Sequence, residues 1–245
     1  MAFSTALSGL TAAASDLDVT ANNIANSSAP GFKADREFFG TYLSQEAAES
    51  PDGTNPPILP VIERNWTDFA QGSMTPTGGP LDVALNGKGF FVATSPSGAV
   101  FTRDGSFRLS KDGQLETLAG YPVQGTDGKP IVLDKSKPVD IGADGTVRQG
   151  GQDIGQIAIV DFQDPATALT KRGSNYFRLD VSDVKPTPAT GAQVQQGKLE
   201  AANFQPAESA VRLVNVMRQF ETMQKAMSIG VEMNKRAMDE VARVS

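Results

Sequence analysis

The residue types that could do chemistry in this chain are few: the acidic pair Asp16 and Asp18, the loop Gly87-Lys88-Gly89, a series of Asp-Gly turns, and serines with lysines nearby. Asp16 and Asp18 stand two apart on a helical stretch, so they point in different directions and do not form a carboxylate dyad. Gly87-Lys88-Gly89 has the look of a phosphate-cradling fragment, but it joins two strand-like segments and lacks the full glycine spacing, which makes it a hairpin turn. Asn86-Gly87, Asp104-Gly105, Asp112-Gly113, Asp127-Gly128 and Asp144-Gly145 lack the alternating carboxylates and the distant glutamate of a calcium loop, so they too read as turns. Histidine and cysteine are both absent, which removes imidazole bases, thiolate nucleophiles, disulfides and most zinc sites together. A serine nucleophile would then need a lysine base, and no Ser-x-x-Lys stands in a suitable context. Lone Trp66 is expected to be a packing anchor. No catalytic, cofactor-binding or metal-binding residue is assigned, and the chain is not expected to be an enzyme.

What the spacing does specify is a pair of apolar stripes at the two ends. Phe3, Leu7, Leu10, Ala14, Leu17, Ala21 and Ile24 recur at alternating steps of four and three, the a/d spacing of a coiled-coil seam. Leu213, Val216, Phe220, Met223 and Met227 do the same, continuing less cleanly through Val231, Met238 and Val241. The thioethers of Met217, Met223, Met227, Met233 and Met238 suit a surface that adapts to slightly different neighbours. A first helix is expected from about Ser4, as N-cap, to about Asn26, stopped by Pro30-Gly31. Asn22, Asn23 and Asn26 fall in its last turns, either as a frayed end or as a specific contact surface. A last helix is expected to begin at Pro206 and run about thirty-five residues, with acid-first i, i+4 pairs such as Glu208 and Arg212, Glu221 and Lys225, and Glu232 and Arg236 on its solvated face. An amphipathic helix that meets only one partner gains little beyond the entropy of ordering it. Both ends are therefore expected to fold fully only when several chains pack together.

Between the ends the pattern changes to alternation. Leu81, Val83 and Leu85, and then Phe107 and Leu109, alternate with smaller or polar residues at the period of half-buried strands, and the Asp-Gly turns punctuate them. Segments 154–162 and 176–181 are expected to complete the sheets. Phe38, Phe39, Tyr42 and Leu43 would extend a short helix or pack on a neighbour, Ser50 to Pro57 would break regular structure, and Ile58, Leu59, Val61 and Ile62 would form a strand. The expected fold class is α+β, with N- and C-terminal helices forming a coiled-coil-like terminal domain and an antiparallel, mainly-β body inserted between them. The expected divisions are 1–32 with 199–245 as the helical assembly domain, 33–71 as a linker, and 72–198 as the β-rich domain.

The net charge of −6 and the scattering of Lys and Arg argue against nucleic acid as a partner. The first residues lack a basic n-region and an unbroken apolar h-region, so no secretion signal of that kind is expected. No run approaches the roughly 20 apolar residues of a bilayer span.

Three blocks resemble the axial proteins of the bacterial flagellum, the rod and hook family. They are Ala21-Asn22-Asn23-Ile24-Ala25-Asn26 with Gly31-Phe32-Lys33; Pro80-Leu81-Asp82-Val83-Ala84-Leu85 through Gly89-Phe90-Phe91 to Thr102-Arg103-Asp104-Gly105-Ser106-Phe107; and Leu199-Glu200-Ala201-Ala202-Asn203. The resemblance implies a non-enzymatic structural subunit of the basal body in the periplasm. It would be exported unfolded through the type III apparatus and polymerised with copies of itself and other rod proteins into a helical tube that transmits torque. In that family the terminal helices line the central channel and the β region lies outside. The short length, Gly31-Phe32-Lys33-Ala34-Asp35-Arg36 and Met217-Arg218-Gln219-Phe220-Glu221 are similar to proximal rod members first, distal rod members second and hook proteins third. The self-assembly seam would be Phe3, Leu7, Leu10, Leu17 and Ile24 against Leu213, Val216, Phe220, Met223 and Met227, with Asn22, Asn23, Asn26, Gly31 and Phe32 as the family motif. A different class, a surface β module that trimerises through its helices and binds glycans or a host partner, also accommodates the two stripes.

Overall fold

The computed structural model describes residues 2–43, 58–173, 175–180 and 184–244. The chain divides into two compact units: the described residues of 1–25, 35–66 and 205–245 form one, and those of 26–34 and 67–204 form the other. By their contacts the described residues of 26–34, 67–71 and 199–204 go with the β body, and those of 35–66 go with the helices.

In the first unit, an N-terminal helix spans Ala2–Ala25 and a C-terminal helix spans Pro206–Val244, 24 and 39 residues long. Ser4 therefore lies inside the first helix and does not cap it. Pro206 does open the last helix, where its missing N–H costs nothing. The stretch containing Phe38, Phe39, Tyr42 and Leu43 is a strand, β1 (Asp35–Leu43), paired with β2 (Ile58–Thr67). Aromatic residues at this density favour the extended backbone over a helical turn. The expected break from Ser50 to Pro57 lies outside the described residues. Trp66, on β2, is 37% exposed and is no packing anchor.

The second unit is an antiparallel β body. Its largest sheet has six strands in the order β13 (Leu169–Gly173), β14 (Tyr176–Leu179), β6 (Gly98–Thr102), β5 (Phe90–Ser95), β12 (Ile159–Asp161) and β15 (Thr187–Pro188). A three-stranded sheet is built from β9 (Val139–Ile141), β10 (Thr146–Gln149) and β11 (Gln152–Gln156). Three two-stranded ribbons pair β3 (Met74–Pro76) with β17 (Lys198–Glu200), β4 (Val83–Asn86) with β16 (Gln193–Gln196), and β7 (Phe107–Leu109) with β8 (Leu115–Thr117). A one-turn helix, Pro165–Ala168, is capped by the Asp164 carboxylate, which accepts from the Ala166 N–H.

Strand β5 is buried on both faces, so its two sides serve two cores. Phe91 enters a cluster with Val83, Leu85, Phe107, Leu115 and Val123, whereas its neighbour Phe90 enters another with Phe101, Phe162, Leu169 and Phe177. Because strand side chains alternate, consecutive phenylalanines separate these clusters without a break in the strand.

The turn signals divide by what they connect. Asp112-Gly113 and Asp144-Gly145 close the hairpins β7–β8 and β9–β10, and Asp127-Gly128 turns the chain between the paired residues Gln124 and Pro130. Asn86-Gly87 and Asp104-Gly105 are instead corners where the chain leaves one sheet for another, so Gly87-Lys88-Gly89 is a corner between β4 and β5 and not a hairpin. Its φ angles of 108° at Gly87 and 140° at Gly89 explain the glycines without any ligand.

Candidate functional site

In the first unit the site is the pair of terminal helices. They run antiparallel: an ion pair joins Asp16 to Arg212 at 2.9 Å, and a Cβ on Gly9 would stand 3.6 Å from the Met223 sulfur. On the C-terminal helix Val216 is buried, and Leu213, Phe220, Met223 and Met227 are half-buried in an otherwise mostly exposed helix. On the N-terminal helix Leu10, Leu17 and Ile24 are half-buried as well, whereas Ala21 is exposed. The side chains of Phe3, Leu7, Met238 and Val241 lie outside what is described. Away from its stripe the C-terminal helix exposes more apolar surface, including Val211 at 63% and Met233 at 66%, together with Val214 and Ile229.

Of the asparagines at the end of the first helix, Asn23 makes a specific side-chain contact. Asn23 is buried, and its side-chain amide donates to the Asp35 carbonyl at 2.8 Å while accepting the Asp35 N–H at 3.0 Å. That pairing sets where β1 begins. Asn22 is exposed, and the Asn26 carbonyl receives the Ala29 N–H at 3.0 Å.

Next to Asn23, Glu37 on β1 accepts from the Ser15 hydroxyl at 2.6 Å. Burial pushes its carboxyl above the ordinary glutamate range and Asp16 and Asp18 push the same way, against the Ser15 hydrogen bond and Arg212. A raised pKa means that the folded chain holds the proton more tightly than the unfolded chain. Glu37 therefore stabilises this unit fully at acid pH, and that contribution is lost as pH rises from the unfolded value, roughly 4.3, through the raised folded value. Glu37→Gln should remove that slope and keep the Ser15 contact. Denaturant titrations read by helix circular dichroism at pH 4.5 and 7 should show less pH dependence in the variant, with a difference under about 1 kcal/mol after solvent screening. Equal slopes in both proteins would show that the Glu37 proton is not involved.

In the second unit, sequence reasoning missed the main feature. Lys33 and Glu200 form an ion pair at 2.5 Å with both side chains fully buried, and Arg103, 4% exposed, reaches the other carboxylate oxygen at 3.4 Å. Lys33 Nζ also donates to the Ala70 carbonyl at 2.7 Å, and the Gly72 N–H donates to Glu200 Oε1 at 2.9 Å. Arg103 donates to the Gly87 carbonyl at 2.7 Å and lies over the Phe90 ring, 5.4 Å from its centroid. Burial pushes the Lys33 ammonium below its ordinary range, countered in part by Glu200; the Arg103 guanidinium is lowered for the same reason.

Neighbouring residues complete the arrangement. The Asn203 side chain accepts the Ala34 N–H at 2.8 Å and donates to the carbonyls of Asp68 at 2.6 Å and Ala70 at 3.1 Å. Gly31, at φ 66°, gives its N–H to the Glu200 carbonyl at 2.7 Å, and a Cβ there would overlap the Arg103–Asp104 backbone. Phe32 is buried beneath the Lys171 ammonium, 4.6 Å from the ring centroid. Lys33, Arg103, Glu200 and Asn203 all sit inside the three sequence blocks, but a single charged residue in a block carries no sign that its partner lies far along the chain.

Among the described residues no group of acidic side chains is placed to hold a metal, and no helix is long and apolar enough to cross a membrane. The described residues thus give two long end helices, the C-terminal one with exposed apolar surface, and a β body whose buried charges tie distant segments together, an arrangement with no described catalytic or metal centre. The comparisons with known proteins give its family. Residues 3–33 match the flagella basal body rod protein family, residues 84–149 the flagellar hook protein FlgE/F/G D1 domain, and residues 195–240 the C-terminal domain of flagellar basal body rod FlgEFG proteins. The flagellar basal-body rod protein FlgF of Caulobacter vibrioides is 36% identical over 231 residues, covering 94% of this chain and 93% of the relative. FlgF of Mesorhizobium japonicum is 34% identical, covering 88% and 87%, and the rod protein FlgG of Buchnera aphidicola is 32% identical, covering 92% and 94%. The chain belongs to the flagellar rod and hook protein family. Lys33, Arg103 and Glu200 fall one in each of the three matched segments.

Proposed function

We propose that this chain is a structural subunit of the flagellar basal-body rod, of the FlgF type, that polymerises with copies of itself and other rod proteins. The observation that carries this reading is the near full-length similarity to FlgF rod proteins, 36% identity over 93% of one relative. The paired terminal helices supply the physical means. Leu10, Leu17, Ile24, Leu213, Val216, Phe220, Met223 and Met227 form the intrachain half of an assembly seam, and the exposed Val211, Val214, Ile229 and Met233 leave apolar surface for helices of neighbouring subunits. In this reading the helices make a coiled-coil-like inner layer, the β body lies outside, and the chain reaches its place through the flagellar export apparatus. No step of this role requires catalysis.

Deleting the gene in the source bacterium should abolish swimming and leave basal bodies whose rods end early. Restoring the gene should recover both. Retained swimming with normal filaments would overturn the reading, and would return weight to a surface-binding β module.

A further inference from the structure

We propose that Lys33, Arg103, Glu200 and Asn203 form a lock on connecting segments by which the chain enters and leaves the β body, and that this lock opens separately from the two hydrophobic cores. The chain passes between the units at residues 25/26, 34/35, 66/67 and 204/205. Within the β body, the segments leading to three of those points, 34/35, 66/67 and 204/205, are held by the same few side chains. Lys33 ties its own segment to Ala70 and Glu200, and Asn203 ties Ala34 to Asp68 and Ala70. Backbone bonds run alongside: Asp68 N–H to Ala34 O at 2.8 Å, Ala201 N–H to Ser73 O at 2.8 Å, and Asn203 N–H to Phe32 O at 3.3 Å.

The chemistry of the lock differs from that of the rest of the body. Its charged members belong to neither hydrophobic cluster, Arg103 touching the second only at the Phe90 face, and buried ion pairs in general add no more stability than apolar residues of similar volume. What buried charges add is a demand for completeness. Glu200 is the carboxylate in direct contact with both Lys33 and Arg103, so losing it leaves two buried cations with only the more distant Asp68 and Asp161 to offset them, and the cheapest relief is to return the Lys33 segment to water. The segments 31–34, 68–73 and 200–203 are thus either all docked or released together. In a rod subunit this would keep the crossing segments from sliding under torsion; that role rests on the rod reading, whereas the opening itself does not.

Hydrogen–deuterium exchange on the purified full-length chain tests it. Glu200→Gln should speed exchange in 31–34, 68–73 and 200–203 by on the order of 100-fold, while the amides of β5 and β6 change by less than about tenfold. Asn203→Ala, which removes the amide ties and strands no charge, should accelerate the same three segments by roughly tenfold. Acceleration spread evenly over the lock and the core strands in Asn203→Ala, or no change in the three segments, would overturn the proposal. If Glu200→Gln does not fold, the Asn203→Ala comparison still decides. None of these readouts depends on whether the chain is built into a rod.

Discussion

Phe91→Ala should lower the stability of the β body by about 3–5 kcal/mol. Phe91 is fully buried, and its ring meets that of Phe107 edge-on, 5.1 Å between centroids at 78°. It also stands against Val83, Leu85, Leu115 and Val123, so removing the ring leaves a cavity that short strands, pinned by their ladders, close only in part. With a loss of roughly 2–4 °C for each kcal/mol in a domain of this size, the midpoint of thermal unfolding should fall by about 10 °C. Phe91→Leu keeps most of the volume and should cost under about 2 kcal/mol. Val132→Ala, at a side chain 52% exposed, should stay within about 0.5 kcal/mol. Calorimetry on the three variants checks the order. If Phe91→Ala and Val132→Ala proved equivalent, the cluster around Phe91 would not be what holds the body together.

How far each feature could be read from the chain follows from the range of the interaction behind it. The stripe from Leu213 to Met227 was legible because helical periodicity is a local property, and the same five positions turn out to be among the least exposed of that helix. The antiparallel body was legible from alternation and turn residues for the same reason. Where local rules compete, they gave less. Asn86-Gly87 has hairpin chemistry, yet β4 and β5 belong to different sheets, and nothing within a few residues of the turn encodes that. Ser4 is a good cap by type, but the helix begins at Ala2. Trp66 is large and apolar, and on an edge ribbon it remains partly in water. The lock was least legible. Lys33 and Glu200 are 167 positions apart, and a lone Lys or Glu reads as a solvated residue unless its distant partner is known.

Val216→Asp should separate the terminal helices and abolish swimming in cells that depend on the variant. Val216 is 6% exposed, midway along the stripe of the C-terminal helix. A carboxylate there stands among Leu213, Phe220, Met223 and Met227, and the cation one turn away, Arg212, is already paired with Asp16. Burying it unpaired or turning the helix away from its partner costs about 3 kcal/mol or more, and drawing Arg212 inward instead gives up the Asp16 pair that joins the helices. Among the described residues the ion pair that joins the two helices, Arg212–Asp16, is partly exposed and contributes at most about 1 kcal/mol, so the stripe carries most of what holds the C-terminal helix in place. The purified variant should therefore lose helical signal at 222 nm, while the β body, which has its own clusters, keeps its thermal transition. Val211→Asp puts the same charge on the same helix at a side chain that is 63% exposed, and should leave the helical signal of the isolated subunit unchanged. Val216→Leu should retain both helicity and swimming. Normal swimming with Val216→Asp, or equal loss of helicity from the Val211 and Val216 variants, would show that assembly does not run through this stripe.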